Sequence, residues 1–385
     1  MIPYGRQNIS VDDIDAVIDV LKSDFLTQGP CVPKFEESIA NYCSSKYALA
    51  VNSATSALHV ACLALEVKPG DIVWTSPITF VASANCAVYC GAKVDFVDIN
   101  KDTYNMDSTA LEKKLLLAKK NNCLPKVVIP VHLSGQSCEM DKIYELSKEY
   151  DFKIIEDASH SIGSRFKESP VGDCRYSDVA VFSFHPVKII TTGEGGAAVT
   201  NNEDLHNKMS LYRSHGITKN KENMKNKSDG PWYYEQVCLG LNYRITDIQA
   251  ALGLSQMKRL DEFVQKRHEI AKFYNESFKN LPIKIPFQHP DTFSSFHLYP
   301  IRINPNNSKS HLEIFNGLIK KGIGVNLHYI PVYRQPYYKK LGYIKEDFPE
   351  SESYYKEAIS IPIFPDLDTK RQQKVIDSVI EEISS

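Results

Sequence analysis

VAVFSFHPVKIITTGEGGAAVT, residues 179–200, sets two apolar, β-prone runs on either side of a polar, glycine-rich turn. Val179–Ser183 and Ala197–Thr200 read as strands. Between them stand Ser183, His185 and Lys188, then Gly193, Gly195 and Gly196, which permit a tight turn. Lysine is among the residues least often buried. A lysine between two core strands belongs at the rim of a sheet. Partly stripped of water, it gives up its proton more readily and becomes a nucleophilic amine. The blander alternative is a lysine whose stem covers apolar surface while its amine stays in water.

The same kind of run recurs upstream at Tyr47–Val51, Asp71–Thr75, Lys93–Val97, Val127–Val131 and Lys153–Glu156. Helical patterns fall between or before these runs, at Val11–Lys22, Ser53–Leu65, Val81–Gly91, Ser108–Asn121 and Cys138–Tyr150. Continuous apolar strands alternating with helices predict an α/β fold with a mainly parallel central sheet, covered on both faces. In such sheets ligands bind beyond the carboxyl ends of the strands. Past Thr200 the pattern changes. Gly216–Asp229 reads as a flexible loop, and a long helical pattern runs from Asp247 to about Lys279. Strands at His297–Ile303 and Gly324–Tyr329 and helices at Ser310–Lys321 and Thr369–Ile383 follow. The expected division is a large domain over residues 1–250 and a smaller α+β domain over residues 251–385.

The 385 residues are 43% hydrophobic and 24% charged, with a formal net charge of −2. That balance argues against a general affinity for nucleic acid or an anionic membrane. The run KNKENMKNK, Lys219–Lys227, includes Glu222 and reads as a solvated loop. Nine cysteines without a CxxC pair suit reduced thiols in a cytoplasmic protein. The opening MIPYGRQNIS carries no apolar segment, so no signal peptide is expected. The longest apolar stretch, TFVASANCAVYCGAKV, is interrupted by Ser83, Asn85, Gly91 and Lys93, and is too short and polar for a membrane span.

Four strand ends carry chemistry. In VNSATSAL, a strand stops at Val51 and a helix starts near Ser53. The free N–H groups of that turn, with the hydroxyls of Ser53 and Thr55, suit a phosphate, though an ordinary N-cap fits equally well. Phe80, after the second strand, could stack on a flat ligand or belong to the core. In KIIEDASHSIG, Asp157 ends a strand and could hold a protonated ring nitrogen or serve structure alone. Lys188 meets the requirement for a Schiff-base lysine. Together, a phosphate cradle, an aromatic plate, an aspartate and an imine-forming amine match the parts of pyridoxal 5′-phosphate.

NSATSAL, EDASHSIG, FSFHPVKIITTGEGGAAVT, RSHGI and GLNYRITDIQAALGLSQ, in that order, resemble the DegT/DnrJ/StrS family of sugar aminotransferases. The resemblance implies a fold type I PLP-dependent transferase working as a homodimer. It implies Lys188 as the imine lysine, Asp157 on the pyridine nitrogen, His160 close to the ring and Phe80 stacked on it. Ser53, Ala54, Thr55 and Ser183 would surround the phosphate, and Asn242 would reach in from the partner subunit. PYGRQ near the start and VNLHYIPVYRQPYYKKLGY near the end are similar to the branch that aminates a UDP-linked 4-keto-6-deoxy-N-acetyl sugar for pseudaminic acid, with L-glutamate as donor and 2-oxoglutarate as product. By that likeness Tyr4, Asp24, Phe25, Leu26, Thr27, Asn326, Leu327, His328 and Tyr329 would meet the sugar nucleotide, with Ala54, Ser183 and Asn242 beside it. Tyr329, Tyr333, Tyr337 and Tyr338 could touch the uracil or sugar, or some of them could only pack the small domain.

Three other readings compete. His132, Asp157, His160 and His185 all follow strands and could converge on a metal, as in a hydrolase. That reading leaves Lys188 and the glycine run unexplained, and no metal is expected. PLP-dependent sugar dehydratases resemble this family but carry histidine in place of the imine lysine. A regulator that binds the cofactor without turnover would need an effector or DNA-binding module that nothing in the chain requires.

Overall fold

Strands without polar alternation need cover on both faces, and this chain supplies it. The computed structural model describes residues 1–384. Seven strands form one sheet: β1 (Tyr47–Val51), β2 (Ile72–Thr75), β3 (Lys93–Phe96), β4 (Val127–Ile129), β5 (Lys153–Asp157), β6 (Val179–Ser183) and β7 (Gly196–Thr200). Their order is β1-β7-β6-β5-β4-β2-β3. Only β7 runs against its neighbours, so the sheet is mainly parallel, as the sequence predicts. Alternate residues of one strand serve opposite cores. Val179 and Val181 of β6 join the core under helices Ala54–Ala64 and Ala82–Tyr89. Ala180 and Phe182 join the core under helix Cys31–Cys43.

Two large-domain helices escape the sequence reading. Cys31–Cys43 has no side-chain cap from its own N-terminal residue. Its start is held instead by Asp247, whose carboxylate accepts from the Gly29 amide at 2.7 Å and the Cys31 amide at 2.8 Å. Glu203–Arg213 buries only Leu205 and Met209, so its apolar stripe is too thin to stand out.

The pattern Asp247–Lys279 is two helices, not one: Asp247–Met257 and Leu260–Phe278. The break falls at Arg259, whose guanidinium pairs with Asp13 at 2.5 Å. Residue 250 lies inside the first of these. The second joins two cores: Phe263 and Val264 pack with the large domain, Tyr274 and Phe278 with a third cluster. That cluster covers a three-stranded antiparallel sheet of Ile283–Lys284, Tyr299–Ile303 and Ala358–Ile361.

Gly324–Tyr329, expected as a strand, is not one. Only Asn326 bridges to the sheet, at Ser360. The Gly324 amide goes instead to Ile2, and the Leu327 amide to the Asn326 side chain. That detour brings the N-terminal segment against this loop. The segment 216–229 is tethered by a short ladder, Ile217–Thr218 with Glu235–Gln236, and by Glu235, which accepts from the Lys225 and Asn226 amides.

Candidate active site

Three elements make a cradle. Helix Ala54–Ala64 starts just beyond β1, and Ser53 caps it by accepting from the Ser56 amide at 3.1 Å. The Ala54 and Thr55 amides, in the first turn, have no intrahelical acceptor. Ser183 pairs with Gly196 across β6 and β7. A Cβ on Gly196 would lie 2.4 Å from the Ala54 nitrogen and 2.6 Å from the Ser53 carbonyl carbon. Glycine is therefore required for this close approach, and it sets the Ser183 strand end beside the helix start. Gly193 turns the chain between them at φ +82°. Amides and a hydroxyl converging with no acidic group among them suit a phosphate.

Asp157, at the end of β5, is buried. Its Oδ2 accepts from the Ser83 hydroxyl at 2.6 Å and its Oδ1 from the Ser159 amide at 3.2 Å. No cation pairs with it through a salt bridge among the described residues, so a protonated ring nitrogen would supply the partner that a buried carboxylate needs. Lys188 is half-buried. Burial draws its amine down to about 8, although Asp157 acts in the opposite direction. The neutral, nucleophilic form is thus within reach near neutral pH. A phosphate cradle, a buried carboxylate and an amine of lowered basicity are groups that fit the phosphate, the ring nitrogen and the aldehyde of pyridoxal 5′-phosphate.

A cluster of rings stands beside Lys188. The Lys188 amine is 3.5 Å from His297 Nε2. His297 and His160 stand 4.4 Å apart, ring to ring. His160 Nδ1 accepts from the Ser134 amide, and its Nε2 lies 3.1 Å from the Tyr329 hydroxyl. Burial and the Lys188 charge hold His160 well below the usual range, and do the same to His328, at about 3. Tyr4 packs on His328 at 5.1 Å and shares a hydrogen bond with Asn326.

The remaining expected residues fall around this centre. Phe80 is 59% exposed rather than buried in the core, which leaves its ring free to cover a ligand; it lies 6.2 Å from the Tyr329 ring. Asp24, Phe25, Leu26 and Thr27 are exposed, and Leu26 and Thr27 are pinned where helix Asp247–Met257 begins. Leu327 is half-buried beside Asn326. Asn242 is exposed and bridges to Ser214, while the next residue, Tyr243, accepts from the Asn52 amide at 2.9 Å at the edge of the cradle. Tyr333 and Tyr338 pack on Phe96 in the core, and Tyr337 is exposed.

Sequence reasoning misses Ser83, His297 and Asp247. Ser83 sits in a helix pattern with nothing to mark it, and His297 reads as the first residue of a strand, whereas the strand itself starts at Tyr299. The metal reading fails on geometry. His132 Nε2 points to Glu156 at 2.8 Å while its Nδ1 accepts from the Cys138 amide, and His185 is exposed.

Sheet order, cradle, aspartate and lysine define a fold type I PLP-dependent transferase. A family model for the DegT/DnrJ/EryC1/StrS aminotransferases matches residues 7–380. The chain is 42% identical over 388 residues to the UDP-4-amino-4,6-dideoxy-N-acetyl-beta-L-altrosamine transaminase of Campylobacter jejuni, covering 100% of this chain and 98% of that one. It superposes on Helicobacter pylori PseC, an aminotransferase in the biosynthesis of pseudaminic acid, with a TM-score of 0.90 and 34% identity, covering 100% of this chain and 99% of that one. It superposes on Spr1654 of Streptococcus pneumoniae, named as a putative sugar aminotransferase, in its PMP form with a TM-score of 0.92 and 29% identity, at the same coverage. The chain belongs to the DegT/DnrJ/EryC1/StrS aminotransferase family.

Proposed function

We propose that this aminotransferase moves an amino group from L-glutamate to C4 of a UDP-linked 4-keto-6-deoxy-N-acetylhexosamine. The product would be UDP-4-amino-4,6-dideoxy-N-acetyl-beta-L-altrosamine, for pseudaminic acid synthesis. The observation that carries the reading is the half-buried Lys188 amine next to the buried Asp157, with full-length similarity to proteins named for this activity.

Pyridoxal 5′-phosphate would supply an aldehyde for the lysine and a ring that takes up electrons as a Cα proton leaves. The chain's own residues divide the remaining work. The Ala54 and Thr55 amides and the Ser183 hydroxyl would hold the phosphate. Asp157, oriented by Ser83 and Ser159, would keep a proton on the ring nitrogen. Phe80 would cover one face, with His160 close to the ring. Lys188, once free, would move a proton from the donor's Cα to the cofactor in one half of the reaction and from the cofactor to C4 of the sugar in the other. Tyr4, the Asp24–Thr27 segment and Asn326–Tyr329 would meet the sugar nucleotide.

A homodimer with shared sites is part of the proposal. Trp232, Tyr234 and Leu239 are large apolar residues left exposed on the segment leading to Asn242. A partner subunit would cover them and receive Asn242. No helix among the described residues is long and apolar enough to cross a membrane, and a cytoplasmic location is proposed with the nucleotide-sugar substrate.

The test is product analysis with glutamate and a panel of UDP- and dTDP-linked 4-keto sugars, read by mass and NMR. A C4 amine on the UDP sugar supports the proposal. Amination of dTDP sugars alone would move it to another nucleotide sugar, and no amination of any would overturn it.

A further inference from the structure

His297 has no role in the chemistry described so far, yet its Nε2 stands within hydrogen-bond reach of the Lys188 amine, at 3.5 Å. We propose that His297 is a positioning residue for Lys188: its Nε2–H donates to the lone pair of the uncharged amine and so parks the free side chain between proton transfers. This rests on the reading of Lys188 as the group that captures the cofactor.

The geometry of the ring supports one tautomer. His297 is buried, and no group among the described residues hydrogen-bonds its Nδ1. An unmet N–H in such a place costs more than an unmet lone pair, because a buried donor is the group least often left orphaned. The proton therefore belongs on Nε2, facing Lys188. From there it can serve a neutral amine but clashes with an ammonium, which has three donors and no acceptor.

The surroundings keep the ring itself uncharged. Burial, Lys188, His160, Arg267 and His328 all hold His297 well below the usual imidazole range. Lys188 in turn faces Asp157, His160, His185 and His328. The backbone of His297 is fixed from behind. Buried Arg267 has the carbonyls of Phe296, His297 and Ile363 within hydrogen-bond reach of its Nη1, at 3.1, 3.2 and 3.0 Å, and its two N–H donors there are shared among them. Helix Leu260–Phe278 thus sets the imidazole that meets the lysine from β6's loop.

The test uses the full chain freed of cofactor, so that it is independent of whether the cofactor assignment holds. Two-bond proton–nitrogen NMR of the wild type should show His297 protonated on Nε2 with a bare Nδ1. The Nδ1–H form would overturn the proposal. In parallel, Lys188 is labelled briefly with acetic anhydride across pH and quantified by peptide mass spectrometry. His297→Phe keeps a buried ring but removes the donor that favours the neutral amine. Its labelling midpoint should move to higher pH by roughly half to one pH unit. An unchanged midpoint, or a fall, would contradict the proposal, since a merely structural histidine leaves the midpoint in place. If the variant does not fold, the tautomer measurement on the wild type decides alone.

Discussion

The Ser83 hydroxyl donates to Asp157 Oδ2 at 2.6 Å, tying the first turn of helix Ala82–Tyr89 to the end of β5. The carboxylate that would face the ring nitrogen is therefore aimed by a serine 74 residues away in sequence. Ser83→Ala should leave the fold intact and cut turnover about tenfold, the scale of one hydrogen bond to a charged group. Steady-state kinetics together with a thermal melt separate the two effects. Wild-type turnover in this variant would show that the serine does not aim the carboxylate.

Asp157→Asn keeps the shape and removes the negative charge. Turnover should fall by at least about a hundredfold, with a smaller change in cofactor affinity. Near-normal turnover would make Asp157 a structural residue.

Gly196→Ala drives a methyl group into the Ala54 amide and the Ser53 carbonyl carbon. Backbone must move there, so the variant should lose roughly 1–3 kcal/mol of stability. It should also bind pyridoxal 5′-phosphate more weakly, measured by absorbance titration. Unaltered affinity would place the phosphate elsewhere.

The lysine gives a pH dependence with a definite sign. Its amine captures an aldehyde only when uncharged, and its ordinary value is lowered to about 8 by burial. The rate of cofactor capture by the cofactor-free protein should rise with pH up to about 8 and level off above it. Stopped-flow absorbance follows this directly. A rate that keeps climbing to pH 10 would mean the amine is not depressed.

Most of the large domain was legible because its seven strands are short apolar runs with turn residues at their ends. Lys188, Asp157 and Ser53–Thr55 were legible for the same reason: each follows a strand, where a parallel sheet collects ligands. What escaped depends on contacts between distant parts of the chain. The cap of helix Cys31–Cys43 comes from Asp247, 216 residues on, and His297 reaches Lys188 across 109. Gly324–Tyr329 has the composition of a strand. Its amides, however, are spent on Ile2 and on the Asn326 side chain, which no local pattern reveals.

The most direct test is covalent. The protein is loaded with pyridoxal 5′-phosphate, reduced with borohydride, digested and mapped by mass spectrometry. The expected result is a pyridoxyl group on Lys188 and on no other lysine. An unmodified Lys188 peptide, or the label on a different lysine, would contradict the assignment on which the proposed chemistry depends.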